Sequence, residues 1–239
     1  MTINRDGFWG GTFVGPLSDA LDWLANLLFG EYGLAVLIIT IIVRLIILPL
    51  SLKQYRSSKK MQAIQPQLNE IRQKYASDPK KQQEETMKLF TQHGVNPLSG
   101  CFPLLVQMPV LIALYQAILG NPNIRDHSFL WVQLGSPDPF YVLPVLAGVT
   151  TYLQQKIMQI SMPQQAPGMQ MLLVIFPVLI FVMALQFPSA LVLYWFYSNL
   201  FTIVQSYFMY KPSLRGKGEA VANVGGKAGV QRKNGKRRH

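Results

Sequence analysis

Apolar runs about twenty residues long recur along this chain, separated by segments where charge or turn-forming residues collect. A helix needs roughly 20 apolar residues to cross a bilayer. Five runs meet that length, at about 33–52, 101–119, 138–158, 169–186 and 190–209. Ahead of them, Pro16 sits at a helix start before LSDALDWLANLLFG. Leu17, Leu21, Leu24, Leu27 and Leu28 recur every three or four residues there, while Asp19, Asp22 and Asn26 fall elsewhere. That spacing predicts an amphipathic helix of about 13 residues, too short to span, ending at Gly30. It lies either on the outer surface or against the protein's own spans. The Gly-rich residues 1–15 read as irregular.

The segment 53–94 is hydrophilic. Met61, Ile64, Leu68, Ile71 and Tyr75 form one stripe, and Met87, Leu89 and Phe90 give a second helix an apolar end. Ser77-Asp78-Pro79 between them is a turn and helix-start signal, so the segment predicts an antiparallel helical hairpin. Asn121-Pro122 and Ser136-Pro137 mark a loop at 120–137, and Gln186-Phe187-Pro188-Ser189 a tight turn before the last span.

Charge orients this series. Of 22 Lys and Arg residues, nine lie between Lys53 and Lys88 and nine between Lys211 and Arg238. Basic residues beside spans mark cytoplasmic segments, which places the N-terminus outside and the C-terminus inside. The outer segments hold Arg5 and Arg125 against Asp6, Asp19, Asp22, Glu31, Asp126 and Asp138. Only 14% of residues are charged and the mean hydropathy is +0.21, a membrane composition. The Gly/Lys/Arg-rich tail from Lys211 reads as disordered and suited to anionic headgroups. MTINRDGFWGGTFVGP is not a signal peptide, and an external N-terminus leads us to expect a precursor segment upstream.

One residue breaks the pattern. Arg44 lies near the middle of the first apolar run, and a charge at that depth costs about 2.5–3.5 kcal/mol on insertion scales. Lys53 is nine residues on, about 13 Å at 1.5 Å per residue, farther than a guanidinium snorkels. No Asp or Glu lies within a span to pair with it. The spans offer neutral polarity instead. Thr40 is one turn before Arg44, and Gln107 sits between Pro103 and Pro109. Thr151, Gln155 and Gln159 follow one face of the third span, and Trp195, Asn199, Thr202 and Ser206 one face of the fifth. Those stripes either knit helices together or face one shared, wet space around Arg44. An unpaired cation in such a space suits an anionic visitor, in an anion transporter, a lipid-handling protein or a device that attracts acidic segments of other proteins. A transporter would be expected to show paired repeats, and five spans do not halve. The spans hold no carboxylate pair, no Ser or Cys has a matched His, and Cys101 alone forms neither disulfide nor zinc spacing. No enzyme chemistry, metal or cofactor is expected.

TIIVRLIILPL, NPLSGCFPLLVQMPVLIALYQAI and FPSALVLYWFYSNLFTIVQ together resemble the YidC/Oxa/Alb-type membrane protein insertases, over about residues 33–210. The lack of a large external domain after the first span resembles the Gram-positive bacterial branch, whose members are made as lipoprotein precursors. The resemblance implies an all-α integral membrane protein of five transmembrane helices around a hydrophilic groove, with a cytoplasmic hairpin and an external amphipathic helix. On that reading residues 1–32 form the external segment, 33–210 the insertase core with its hairpin at 53–94, and 211–239 the basic cytoplasmic tail. It implies a chaperone-like insertase of the bacterial cell membrane that receives nascent membrane proteins, alone or beside the Sec translocon, without cofactor or ATP. Ribosome, lipids and translocon are the implied partners, and one copy is expected to suffice. Arg44 then lines the groove with Thr40, Gln107, Gln155, Gln159, Trp195, Asn199 and Thr202. Trp195 stands where other members have a tyrosine. The runner-up is an anionic-solute or lipid transporter.

Overall fold

The computed structural model describes residues 7–95, 102–161 and 167–209, and these are mostly helical. Chain contacts divide them into a main unit ending at Ile203 and a second unit from Val204, of which the first six residues are described, as helix. The Asn96–Cys101 motif and the basic tail from Lys211 lie outside the described residues.

Within the main unit the chain is helical from Phe8, through a π-turn at Gly10–Val14, into α1, Gly15–Leu27. The expected irregular start is thus corrected. Glycine propensity is a weak prior that tertiary contact overrides, and here Val14 packs against Ala113 and Ala117 while Trp9 Nε1 donates to Gln116 Oε1 at 2.8 Å. Of the two readings of the amphipathic helix, the contacts favour packing on the protein's own helices. Leu21, Leu24 and Ala25 enter the main core with Ala35, Val36 and Ile118.

The first apolar run forms α2, Tyr32–Ala63, the one helix among the described residues long and apolar enough to cross a membrane. It continues past the expected end near Leu52. Pro49 removes one N–H from the ladder without breaking the helix, and the real break comes at Ile64, before Pro66 opens α3 (Gln65–Lys74). The side chain of Asp78 accepts from Lys81 N at 3.1 Å and caps α4, Pro79–Gln92. Ile64 and Leu68 meet Leu89 and Val95, so α3 and α4 run antiparallel around a small core of their own. On the exposed face of α4, Lys88 pairs with Glu84 at 2.7 Å and Glu85 at 2.9 Å, and its hydrogen bond holds the Glu84 carboxyl below the usual carboxylate range.

α5 is Phe102–Gly120, and a short α6, Pro122–Arg125, leads into a two-residue hairpin. In it β1 (Ser128–Phe129) pairs antiparallel with β2 (Val132–Gln133). This compact cap replaces the plain loop that turn signals suggest. Phe129 covers the start of α2, where Gly33 leaves room that any Cβ would take from its ring. α7 spans Val142–Ser161, four residues later than its apolar run begins. Asp138 sets that offset: its buried carboxylate accepts from Trp131 Nε1 (3.1 Å), Phe140 N (3.0 Å) and Leu143 N (2.7 Å). α8 is Pro167–Ala184, and α9 covers 189–209. The cap also satisfies the first amides of α9, since Ser189 N donates to Ser136 O at 2.8 Å and Ala190 N to Leu134 O at 3.0 Å.

The main unit is apolar on its outer surface as well as in its core, and its helices bury a few polar residues among the apolar ones. Ile41, Ile42, Leu45 and Ile46 of α2, Val145, Val149 and Leu153 of α7, and Val178 and Leu179 of α8 are exposed, whereas Thr40, Thr151, Ser189 and Asn199 are buried. A water-soluble chain does not leave such continuous apolar surface bare.

The buried Asn121 joins three elements. Its Nδ2 donates to Ser18 Oγ (2.9 Å) and Asp22 Oδ2 (2.8 Å), and Asp22 Oδ1 accepts from Tyr32 Oη at 2.7 Å. Asn121→Ala should therefore strand two acceptors and destabilise the solubilised protein by about 1–3 kcal/mol. Thermal unfolding in detergent measures it, and an unchanged Tm would exclude the network as the tie between α1 and α5.

Candidate functional site

Arg44 shares the face of α2 that carries Thr40, one turn earlier, while Ile42, Leu45, Ile46 and Pro49 face outward. The guanidinium is partly buried, and among the described residues it has neither an ion pair nor a hydrogen-bond partner. Its electrostatic neighbour is Tyr194 of α9, a fully buried phenol that accepts a hydrogen bond from Gln107 Nε2 of α5. Three helices thus bring a cation, a phenol and an amide to one place. Ser198, one turn beyond Tyr194, is buried beside the same phenol. Thr40 is buried too, with its hydroxyl donating to Val36 O at 2.6 Å within its own helix.

A second polar group joins α7 to α9. Trp195 Nε1 donates to Thr151 Oγ1 at 3.0 Å, and Asn199 reaches the hydroxyls of Thr151 (2.8 Å) and Thr150 (3.2 Å) in either orientation of its amide. Both threonines donate in turn to carbonyls of α7, Thr151 to Ala147 O and Thr150 to Leu146 O, each at 2.7 Å. Thr202 Oγ1 donates to Ser198 O at 2.8 Å. Gln155 Oε1 is buried without a partner among the described residues, and the Gln159 side chain lies outside what is described.

The eight sequence-selected residues therefore divide. Gln107 bonds Tyr194, whose phenol lies within electrostatic range of Arg44. Trp195 and Asn199 are satisfied by helix-to-helix bonds, and Thr40 and Thr202 by their own helices. Tyr194 is the residue that the spacing argument passed over, because LVLYW offers two adjacent aromatics and periodicity alone does not say which meets α2. Its i, i+4 relation to Ser198 was the available signal.

Carboxylate clusters able to hold a metal are absent among the described residues. What this site offers is a cation with open hydrogen-bonding capacity beside neutral polar groups. Residues 23–216 match the family of the 60Kd inner membrane protein. The chain belongs to that family. It is 47% identical over 231 residues to the membrane protein insertase MisCA of Bacillus subtilis, covering 95% of this chain and 88% of that one. Membrane protein insertase YidC 1 of Halalkalibacterium halodurans is 48% identical, over 95% of this chain and 89% of its own. Among solved structures, a crystal structure of an active YidC insertase with its first transmembrane domain resolved matches at a TM-score of 0.68 and 30% identity. That match covers 85% of this chain but 47% of the crystallised one, so this chain spans about half of its length. The family membership agrees with the resemblance carried by the three motifs.

Within this family member the α7–α9 bonds can be separated experimentally from the Arg44 group. Asn199→Ala removes both amide contacts to Thr150 and Thr151, and membrane-helix hydrogen bonds contribute about 0.6–1.7 kcal/mol each. A lower midpoint of unfolding in mixed micelles is expected, and none at all would mean that the amide does not join the helices.

Proposed function

We propose that this chain is a membrane protein insertase and chaperone of the bacterial cell membrane. It takes nascent membrane proteins into a wet intramembrane groove, draws their acidic segments to Arg44 and releases their apolar segments to lipid. The observation that carries the reading is Arg44 itself, a charge on a membrane-length apolar helix with no counter-charge among the described residues. The relatives named as insertases support the general activity.

The physical sequence is short. A hydrophilic tail must cross about 30 Å of hydrocarbon, and a groove reaching partway shortens the dry path. Arg44 attracts a carboxylate by about 4 kcal/mol at about 4 Å and an effective dielectric near 20, before desolvation is subtracted. That recruits a segment without trapping it. Moving the client's apolar segment into lipid then drives release. Thr40, Gln107, Gln155, Gln159, Trp195, Asn199 and Thr202 line or brace the groove in this account, and Tyr194 joins them as the residue that positions Arg44 and Gln107. The proposed frame has five spans in a core at 33–210, the N-terminus and 1–32 outside, and the hairpin at 53–94 and tail at 211–239 in the cytoplasm. The hairpin receives clients, the basic tail meets ribosomal RNA or anionic lipid, and the protein works as a monomer, alone or beside the Sec translocon.

Two variants test the charge. In proteoliposomes, insertion of a single-span client with an acidic external tail should fall about tenfold in Arg44→Ala, roughly 1.4 kcal/mol, and persist in Arg44→Lys. Equal rates for Arg44→Ala and the parent would end the charge-attraction account for that client. Tyr194→Phe removes the acceptor of Gln107 and should slow the same client about fivefold, a loss of about 1 kcal/mol. A client with a neutral tail should be nearly unaffected, and equal slowing of both would make Tyr194 a packing residue only.

A further inference from the structure

Three bulky apolar residues hold left-handed backbone conformations at the end of the main unit that carries α1 and the hairpin: Phe29 (φ 58°), Leu130 (φ 56°) and Tyr141 (φ 59°). Glycine takes this region freely, whereas an L-residue with a large side chain is strained in it. Gly30 next to Phe29 uses it in the ordinary way, at φ 90° with open space around it. The side chains recover little from the protein in exchange: Phe29 and Leu130 are 101% and 72% exposed, and Tyr141 is more than half exposed. Strain together with bare apolar surface points to contact with something outside the chain.

The position of each residue identifies that contact. Phe29 is at the corner between α1 and α2, Leu130 is the tip between β1 and β2, and Tyr141 immediately precedes α7. From two of these points exposed apolar residues recur along the adjoining helices. Phe140 and Tyr141 lead into Val142, Val145 and Val149 of α7, and Phe29 leads through Leu34 to Ile41 and Ile42 of α2. A surface that continues a lipid-facing one is covered by the same solvent, and rings with an apolar body favour the boundary between acyl chains and headgroups. We infer that Phe29, Leu130 and Tyr141 are lipid anchors, seated in the outer leaflet at the headgroup–acyl boundary, where they fix α1 and the hairpin cap to the membrane surface. The turns are held in strained shapes because these shapes aim the side chains into lipid.

The assignment goes beyond the insertase reading and rests only on the proposed orientation with the N-terminus outside. The full chain, with Cys101→Ala and one cysteine at a time at Phe29, Leu130, Tyr141 or the exposed Asp19, is labelled with an environment-sensitive fluorophore. It is then reconstituted into phosphatidylglycerol–phosphatidylethanolamine vesicles. Iodide should quench the three labels at least about threefold less than the label at position 19. Nitroxide at carbon 5 of the lipid chain should quench them about twofold more than nitroxide at carbon 12, as expected for seating about 5–10 Å deep. Iodide quenching equal to that at position 19 would overturn the inference. So would labels that are exposed in these vesicles but shielded in native membranes, since a protein partner would then be the cover.

Discussion

A guanidinium on an apolar helix without a carboxylate to meet it constrains everything built around α2. Desolvating it fully is costly, so the helices that face it must supply polarity, and a salt bridge is excluded by the composition of the spans. Gln107 and Tyr194 answer that requirement from α5 and α9, with the amide fixing the phenol rather than bonding the arginine itself. Arg44 is thereby kept beside neutral dipoles, which soften its isolation while leaving its own donors open.

The same requirement explains why the other polar residues of the helices are treated differently. Asn199 and Trp195 meet threonines that already bond their own helix, so each hydroxyl serves as both donor and acceptor and few polar atoms there remain unsatisfied. Those bonds join α7 to α9 without consuming charge. The outward residues of both helices are free to be apolar because helix-to-helix attraction does not come from them.

Much of this was legible in the sequence. Apolar runs of about 20 residues locate α5, α7, α8 and α9 and the start of α2 to within a few residues, because a long apolar run leaves a helix few alternatives; α2 runs on to Ala63, well past its apolar run. Asp78-Pro79 announces α4 because a cap and a fixed φ act locally. The misses are all tertiary. Helix from Phe8 depends on Val14 reaching Ala113 and Ala117, a contact about a hundred residues away in the chain. α7 starts late because Asp138 turns its carboxylate onto Leu143 N, and which of Tyr194 and Trp195 lies toward Arg44 is set by how the helices pack, not by spacing. Spacing fixes which residues share a face; it does not fix what that face meets.

The two ends of the main unit differ in how completely polar groups are satisfied. At the cap end, Asp138, Asn121, Asp22 and the first amides of α9 all have partners, with His127 Nε2 the buried exception, 3.8 Å from Glu31. Deeper along the helices, Arg44 and Gln155 Oε1 are left open among the described residues. On the proposed reading, a polar segment entering a groove finds hydrogen-bonding capacity that the cap end does not offer, so its favourable contacts stop short of that end. Further travel must then be driven by something else, and the transfer of an adjoining apolar segment into lipid is the large term available. On the proposed reading, an unsatisfied interior beneath a satisfied cap makes polar recruitment and apolar release two separate steps, and their order follows from where the unpaired groups stand.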